Sequence, residues 1–162
     1  MENINIRLAD LSDLDRLVNY IHKNDGDPIM IKRNQLEYLI KSNFVIIAED
    51  TNKNPGEIVG RVSFEAKEAN PYLGVGEIEG VSISKDYQSK CIGTKIMWLA
   101  ISEAQKFFEK YNAKCRFLFL YTRSSNAHAK ALYKKFGFKE GALVGKMFKD
   151  NEPDEQMMYL KF

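Results

Sequence analysis

Apolar and polar residues alternate along residues 57–67, with Ile58, Gly60, Val62 and Phe64 on one side, and the same period of two runs through residues 77–83. That period marks a half-buried strand. The dense run Phe44-Val45-Ile46-Ile47-Ala48 predicts another strand, joined to residues 57–67 by the turn Asn52-Lys53-Asn54-Pro55-Gly56, and the two make a predicted hairpin. Asn5-Ile6-Arg7-Leu8 predicts a first strand, and residues 116–122 another, centred on Phe117-Leu118-Phe119-Leu120-Tyr121. Elsewhere the period lengthens to that of a helix. Leu14, Leu17, Val18 and Ile21 form one stripe behind a cap at Asp10 or Ser12; Leu36, Leu39 and Ile40 form a second; Ile96, Ala100, Ala104, Phe107 and Tyr111 form a third. A further helix is expected over residues 126–136, ended by Gly137.

Turn-forming clusters divide these elements. Asn24-Asp25-Gly26-Asp27-Pro28 breaks the first helix, and Asn70-Pro71-Tyr72-Leu73-Gly74 separates the hairpin from the alternating stretch at residues 77–83. Residues 138–149 and 156–162 predict two last strands around the turn Asn151-Glu152-Pro153-Asp154. No repeat or linker interrupts residues 1–162. The expectation is one α/β (α+β) domain, with a mixed, mostly antiparallel sheet of six to seven strands flanked by about four helices. A chain of 162 residues buries about 70% of its unfolded surface, enough for one substantial core.

Charge narrows the function. The 24 basic and 22 acidic residues are mixed along the chain and leave a net charge of +2, which offers no basic face for nucleic acid. Lys134-Lys135 reads as a solvated helix face. No apolar run approaches the ~20 residues of a membrane span, and the start MENINIRLADLSDLDR is patterned as structure, without a signal core. A cytoplasmic location with reduced thiols, and with neither membrane nor nucleic acid as partner, is expected. Cys91 and Cys115 match no zinc spacing, so no metal is expected.

The most informative stretch is residues 77–97, EIEGVSISKDYQSKCIGTKIM. A strand runs into a turn at Lys85-Asp86-Tyr87, and Gln88-Ser89-Lys90-Cys91-Ile92-Gly93-Thr94 then opens a helical pattern. The first amides of a helix have no partner within it, and the helix dipole adds partial positive charge, so this is a place to hold a phosphate. It is neither GxxxxGK[ST] nor GxGxxG. Some distance on stands Asn126-Ala127-His128-Ala129-Lys130-Ala131-Leu132-Tyr133, followed by Phe136-Gly137-Phe138.

The two patterns together, [QR]-x-x-G-x-[GA] after a strand and then N-x-x-A-x-x-L-Y-x-x-x-G-F, resemble the GNAT superfamily of acyl-CoA-dependent N-acetyltransferases. The order of elements is similar to that family over nearly the whole chain. The resemblance implies acetyl-CoA as co-substrate, with the pyrophosphate held by the amides of Gln88, Ser89, Lys90, Cys91, Ile92, Gly93 and Thr94. It implies that Val81, Ser82 and Ile83 pair with the pantetheine arm, and that an N–H there, such as that of Ile83, holds the thioester oxygen as charge develops. Asn126 would face the cofactor arm, or else serve as an ordinary N-cap. Tyr133 would sit by the cofactor sulfur and protonate it on departure, or else pack with Ala129, Leu132 and Phe136. Glu77 and Glu79 share one strand face; family enzymes often use a carboxylate here as base, and Glu79 is the preferred one. His128 and His22 read as surface histidines.

The sequence also departs from the family. Ser89 and Cys91 occupy places where family loops carry glycine, and Lys85 one where proline is common. A side chain there costs little at negative φ and more at positive φ. A thiol beside a helix start can become reactive, but Cys91 is read as buried and inert, and Cys115 as structural.

The expected function is acetyl transfer to a primary amine by direct attack in a ternary complex, since no cysteine or serine stands where an acyl-enzyme would need one. The alternative is a catalytically weak or inactive acyl-CoA-binding module acting as sensor or partner domain. A purely structural α/β domain is the third reading. The acceptor, a small-molecule amine or a protein or peptide amine, would be set by residues 24–42 and 141–155. Asp25-Gly26-Asp27 reads as an exposed turn. Residues 157–162, as a final strand, can pair across a homodimer.

Overall fold

The structure, a computed structural model, describes residues 3–24, 33–53, 56–66, 71–147 and 153–162. Among the described residues, seven strands and four α-helices follow one another: β1 (Ile4–Leu8), α1 (Leu14–Asn24), α2 (Arg33–Lys41), β2 (Val45–Asp50), β3 (Glu57–Ala66), β4 (Val75–Ile83), α3 (Ile92–Glu109), β5 (Phe117–Arg123), α4 (Ala127–Lys135), β6 (Lys139–Val144) and β7 (Glu155–Lys161). The strands form one mixed sheet in the order β1-β2-β3-β4-β5-β7-β6. β4 and β5 are parallel, whereas β1 and β2, β2 and β3, β5 and β7, and β6 and β7 pair antiparallel. Parts of the expected turns, at residues 25–28, 54–55, 70 and 151–152, lie outside the described residues, as does Asp25-Gly26-Asp27.

The chain divides into two compact units, residues 1–65 with 80–103 and residues 66–79 with 104–162, so that β4 and α3 each contribute to both. In the first, β2 is buried on both faces, which explains its unbroken apolar run. Val45, Ile46, Ile47, Val59, Leu17, Leu36, Ile96 and Met97 are fully buried there, each contributing about 1.5–3 kcal/mol. The first helix begins earlier than its stripe. Asp10 caps a 3-10 turn, Leu11–Asp13, that leads straight into α1, and Asp13 returns the bond to the Asp10 amide.

Asp13 is also the centre of an ion-pair network. Arg7 holds both its oxygens, at 2.6 and 2.9 Å, and Arg16 binds it from the next turn. Glu49 on β2 accepts from Arg16 at 2.7 Å and Arg7 at 3.3 Å. Burial alone would raise the Asp13 carboxyl, but the bonds from Arg7, the Asp10 amide and Arg16 outweigh it and hold the group at about 2.

In the second unit, β5 pairs with β7 along its whole length, from Phe117 opposite Lys161 to Arg123 opposite Glu155. β7 also pairs with β6, from Lys139 opposite Tyr159 to Val144 opposite Glu155. Both its edges are therefore taken, which overturns the expected dimer pairing through residues 157–162; the edge strand is β6. Phe108, Leu118, Leu120 and Met158 fill this core. The buried stripe of α3 runs Ile96, Ala100, Ala104, Phe108. Phe107 is half-buried beside it, and Tyr111 lies past the helix end, 39% exposed.

Three helices stop in the same way. The residue after the cap takes a positive φ at Asn43, Asn112 and Gly137. The next amide then reaches back five residues, from Phe44 to Leu39, Ala113 to Phe108 and Phe138 to Tyr133.

Candidate functional site

In the first unit, the alternation of β4 ends at Gly80, whose φ is +59. A Cβ at this position would fall on the guanidinium of Arg61, a buried residue of β3, so only glycine lets that side chain lie against the strand. β4 and β5 pair only from Val75 to Glu77, opposite Phe117 to Phe119. Val81, Ser82 and Ile83 are half-buried. Ser82 Oγ donates to the Tyr20 hydroxyl at 3.3 Å, and Ser84 Oγ donates to Asn24 Oδ1 at 3.1 Å, which ties this end of β4 to α1.

A 3-10 turn, Lys85–Tyr87, then leads into the loop, and α3 begins at Ile92. Helical geometry thus starts later than the Gln88 where the sequence pattern opens. Gln88 has φ −67, Ser89 +60 and Cys91 +59, while Lys90 does not enter the positive region. Left-handed backbone costs a residue with a Cβ about 1–2 kcal/mol. The loop thus takes at Ser89 and Cys91 a conformation that glycine adopts most readily, and takes it with side chains present. Backbone that alternates in handedness is the pattern by which successive amides turn to one side and make an anion-binding concavity. Among the described residues, no acceptor is hydrogen-bonded to the amides of Ser89, Lys90, Cys91, Ile92, Gly93 or Thr94. Ile92 is buried and anchors the helix start, Gly93 and Thr94 are half-buried, and Cys91 is exposed. The expectation of a buried Cys91 is therefore wrong, because its left-handed φ and the inward Ile92 leave its side chain outside the core. Cys115 is buried, and burial pushes its thiol up to about 12.

Side chains of the same stretch hold the loop in shape. Gln88 Nε2 donates to the Ile83 carbonyl at 3.0 Å, and Lys90 Nζ donates to the Asp86 carbonyl at 2.9 Å. The Tyr87 hydroxyl donates to Asp50 Oδ2, at the end of β2, at 2.7 Å. That bond to a carboxylate, with some desolvation, pushes the Tyr87 phenol up to about 12. Neither partner was legible in the sequence. Thirty-seven residues separate them, and no local pattern announces a tertiary hydrogen bond. Gly80 was findable, since an isolated glycine in a strand signals a bulge or a close approach.

The other predicted residues belong to the second unit. Glu77 and Glu79 are half-buried on one face of β4, flanking buried Ile78. Asn126 is the N-cap of α4, its Oδ1 accepting from the Ala129 amide at 3.0 Å. That bond leaves its Nδ2 as a donor. Tyr133 stands in the last turn of α4, 5% exposed, its ring 6.1 Å from that of Phe138. The Phe138 amide bonds to the Tyr133 carbonyl and Gly137, at φ +86, closes the turn, so the Tyr-x-x-x-Gly-Phe spacing fixes where this phenol points from. Burial raises Tyr133 to about 12, and no described residue hydrogen-bonds its hydroxyl. His128 is exposed. The cavity of about 390 Å³ lined by Leu73, Val75, Arg116, Phe117, Lys161 and Phe162 includes none of these residues.

Residues 8–138 match a family model described as the acetyltransferase (GNAT) family. No curated protein matches in sequence. Among solved structures, a chain of the NatC complex bound to Gag peptide and CoA shares 18% identity at a TM-score of 0.79, covering 99% of each chain. The GNAT-family acetyltransferase from Streptococcus pneumoniae shares 22% at 0.77, covering 98% of this chain and 99% of that one. The ribosomal-protein-S18-alanine N-acetyltransferase from Escherichia coli shares 21% at 0.70, covering 98% and 93%.

Proposed function

Because the chain belongs to the GNAT acetyltransferase family, we propose that it moves an acetyl group from acetyl-CoA to a primary amine. The observation that carries this reading is the loop of residues 88–94, with left-handed backbone at Ser89 and Cys91 and amides at residues 89–94 that have no acceptor among the described residues; the Gln88 amide, expected to join them, donates instead to the Lys85 carbonyl at 3.3 Å. Such a loop at a helix start suits a pyrophosphate. Its amides would hold the phosphates, and the backbone of Val81, Ser82 and Ile83 would align the arm of the co-substrate and steady the carbonyl oxygen as charge grows there.

Glu79, with Glu77 as the second candidate, would take a proton from the attacking nitrogen. The C–N bond forms as the C–S bond breaks, and the sulfur leaves as thiolate. Tyr133 keeps its proton up to about pH 12. Tyr133, buried and protonated, would donate to the departing sulfur as the acid, and solvent would restore its proton. Asn126 Nδ2 would bind the cofactor arm.

The NatC structure holds a peptide and CoA, and the Escherichia coli neighbour is by name an acetyltransferase for a protein alanine. On that basis a peptide or protein amine is the first acceptor class to try, with small-molecule amines as the second. A panel of both classes, with thiol release from acetyl-CoA as readout, tests the proposal, and release with at least one amine is expected. CoA binding without release for any amine would favour the non-catalytic module, for which the strained Ser89 and Cys91 are the argument. Absence of binding would overturn both.

A further inference from the structure

Two side-chain-bearing residues at positive φ do not stay there unless the surroundings hold them. Freed from restraint, Ser89 and Cys91 would relax toward negative φ and turn their amides away from a common ligand. Glycine has no such bias, since it populates both signs of φ about equally, and leaves positive φ without the strain that drives the other residues out of it. A loop that dispenses with glycine at these two places therefore needs an anchor outside itself. Of the three side-chain bonds in this stretch, those of Gln88 and Lys90 end on carbonyls only four or five residues away. Ser84, before the turn, is tied to Asn24 of α1; past it, among the described residues, Tyr87 is the side chain from residues 85–94 whose hydrogen bond reaches a distant element.

Its partner sits on rigid ground. Asp50 is buried at the end of β2, opposite Ile4 of β1 and Glu57 of β3. Its other oxygen accepts from the Asn52 amide at 3.0 Å, so the carboxylate is aimed from both sides. The Tyr87 ring in turn carries Lys90 Nζ at 5.0 Å over its face, which links the anchor to the residue between the two left-handed positions.

We propose that Tyr87 is a positioning residue for the co-substrate loop, its hydrogen bond to Asp50 replacing the restraint that glycines at positions 89 and 91 would make unnecessary. The proposal rests on the reading of residues 88–94 as the acetyl-CoA loop. Tyr87 touches no reacting atom, so its loss weakens binding without slowing the chemical step.

The test is calorimetric titration with CoA, together with kcat and KM for acetyl-CoA, on the wild type, Tyr87→Phe, Ser89→Gly/Cys91→Gly and the triple variant. Tyr87→Phe keeps the ring under Lys90 and removes only the hydroxyl. It is expected to weaken CoA binding about tenfold, the scale of one hydrogen bond to a charged group, with KM rising in step and kcat at saturation within about twofold. In the double-glycine background the same substitution is expected to cost less than about threefold. A Tyr87→Phe variant that is folded by circular dichroism and binds CoA like the wild type would overturn the inference alone. An equal loss in both backgrounds would also overturn it, since Tyr87 would then support the fold and not the two strained positions. A wild type that does not bind CoA would overturn the function and this inference together.

Discussion

Tyr133 and Tyr87 hold their protons to about pH 12 for different reasons. Burial does it for Tyr133, where the anion would be poorly solvated; a carboxylate acceptor does it for Tyr87. The distinction matters for catalysis. A buried phenol with no hydrogen-bond partner among the described residues keeps its O–H free to donate, as the proposed function requires, whereas one already bonded to Asp50 is a tie. Tyr133→Phe is expected to lower kcat about tenfold to a hundredfold while the CoA dissociation constant stays within about twofold, because the lost bond forms only as sulfur departs. The phenol is protonated at every pH below about 12, so its ionisation contributes no alkaline fall in the wild-type rate. A rate profile in which Tyr133→Phe abolishes a fall below that pH would contradict the assignment. At this scale the sequence was partly legible. The Tyr-x-x-x-Gly-Phe spacing put Tyr133 in a last helical turn closed by a left-handed Gly137, whereas the left-handed φ of Ser89 and Cys91 is not readable from side chains that disfavour it. The anchor Asp50 was invisible, because nothing near it in the chain differs from a strand end.

At the scale of elements, the Asp13 network joins β1, α1 and β2 through one fully buried carboxylate. Asp13→Ala would remove the main partner of Arg7 and leave both arginines to Glu49, and a loss of about 1–3 kcal/mol in chemical denaturation is expected. The pH dependence follows from the depressed carboxyl. Its contribution is present above 3.8, the unfolded value, and is lost as pH falls through about 2. Acid unfolding of the wild type in that window should therefore be steeper than that of Asp13→Asn. Element identity was legible because periods of two and of about 3.6 differ so plainly. Element ends were less so. Asn43 and Asn112 end helices by taking left-handed φ, a conformation that asparagine adopts more readily than most residues but that its presence does not guarantee. Along α3, steps of three and of four both fit the pattern, and packing chose Phe108 over Phe107 for the core.

For the molecule as a whole, the class of fold came from the order of strands and helices, whereas the place of β7 between β5 and β6 did not. That insertion is a non-local pairing, set by which edges remain open once other strands have paired, and no local pattern encodes it. Balanced charge likewise leaves the acceptor unspecified. The central claim is that residues 88–94 form a loop built to receive the phosphates of acetyl-CoA. The amide resonances of the 15N-labelled protein during titration with CoA test this most directly. Saturable shifts concentrated at Ser89, Lys90, Cys91, Ile92, Gly93 and Thr94 are predicted; saturable binding that leaves those six amides unmoved would contradict the claim.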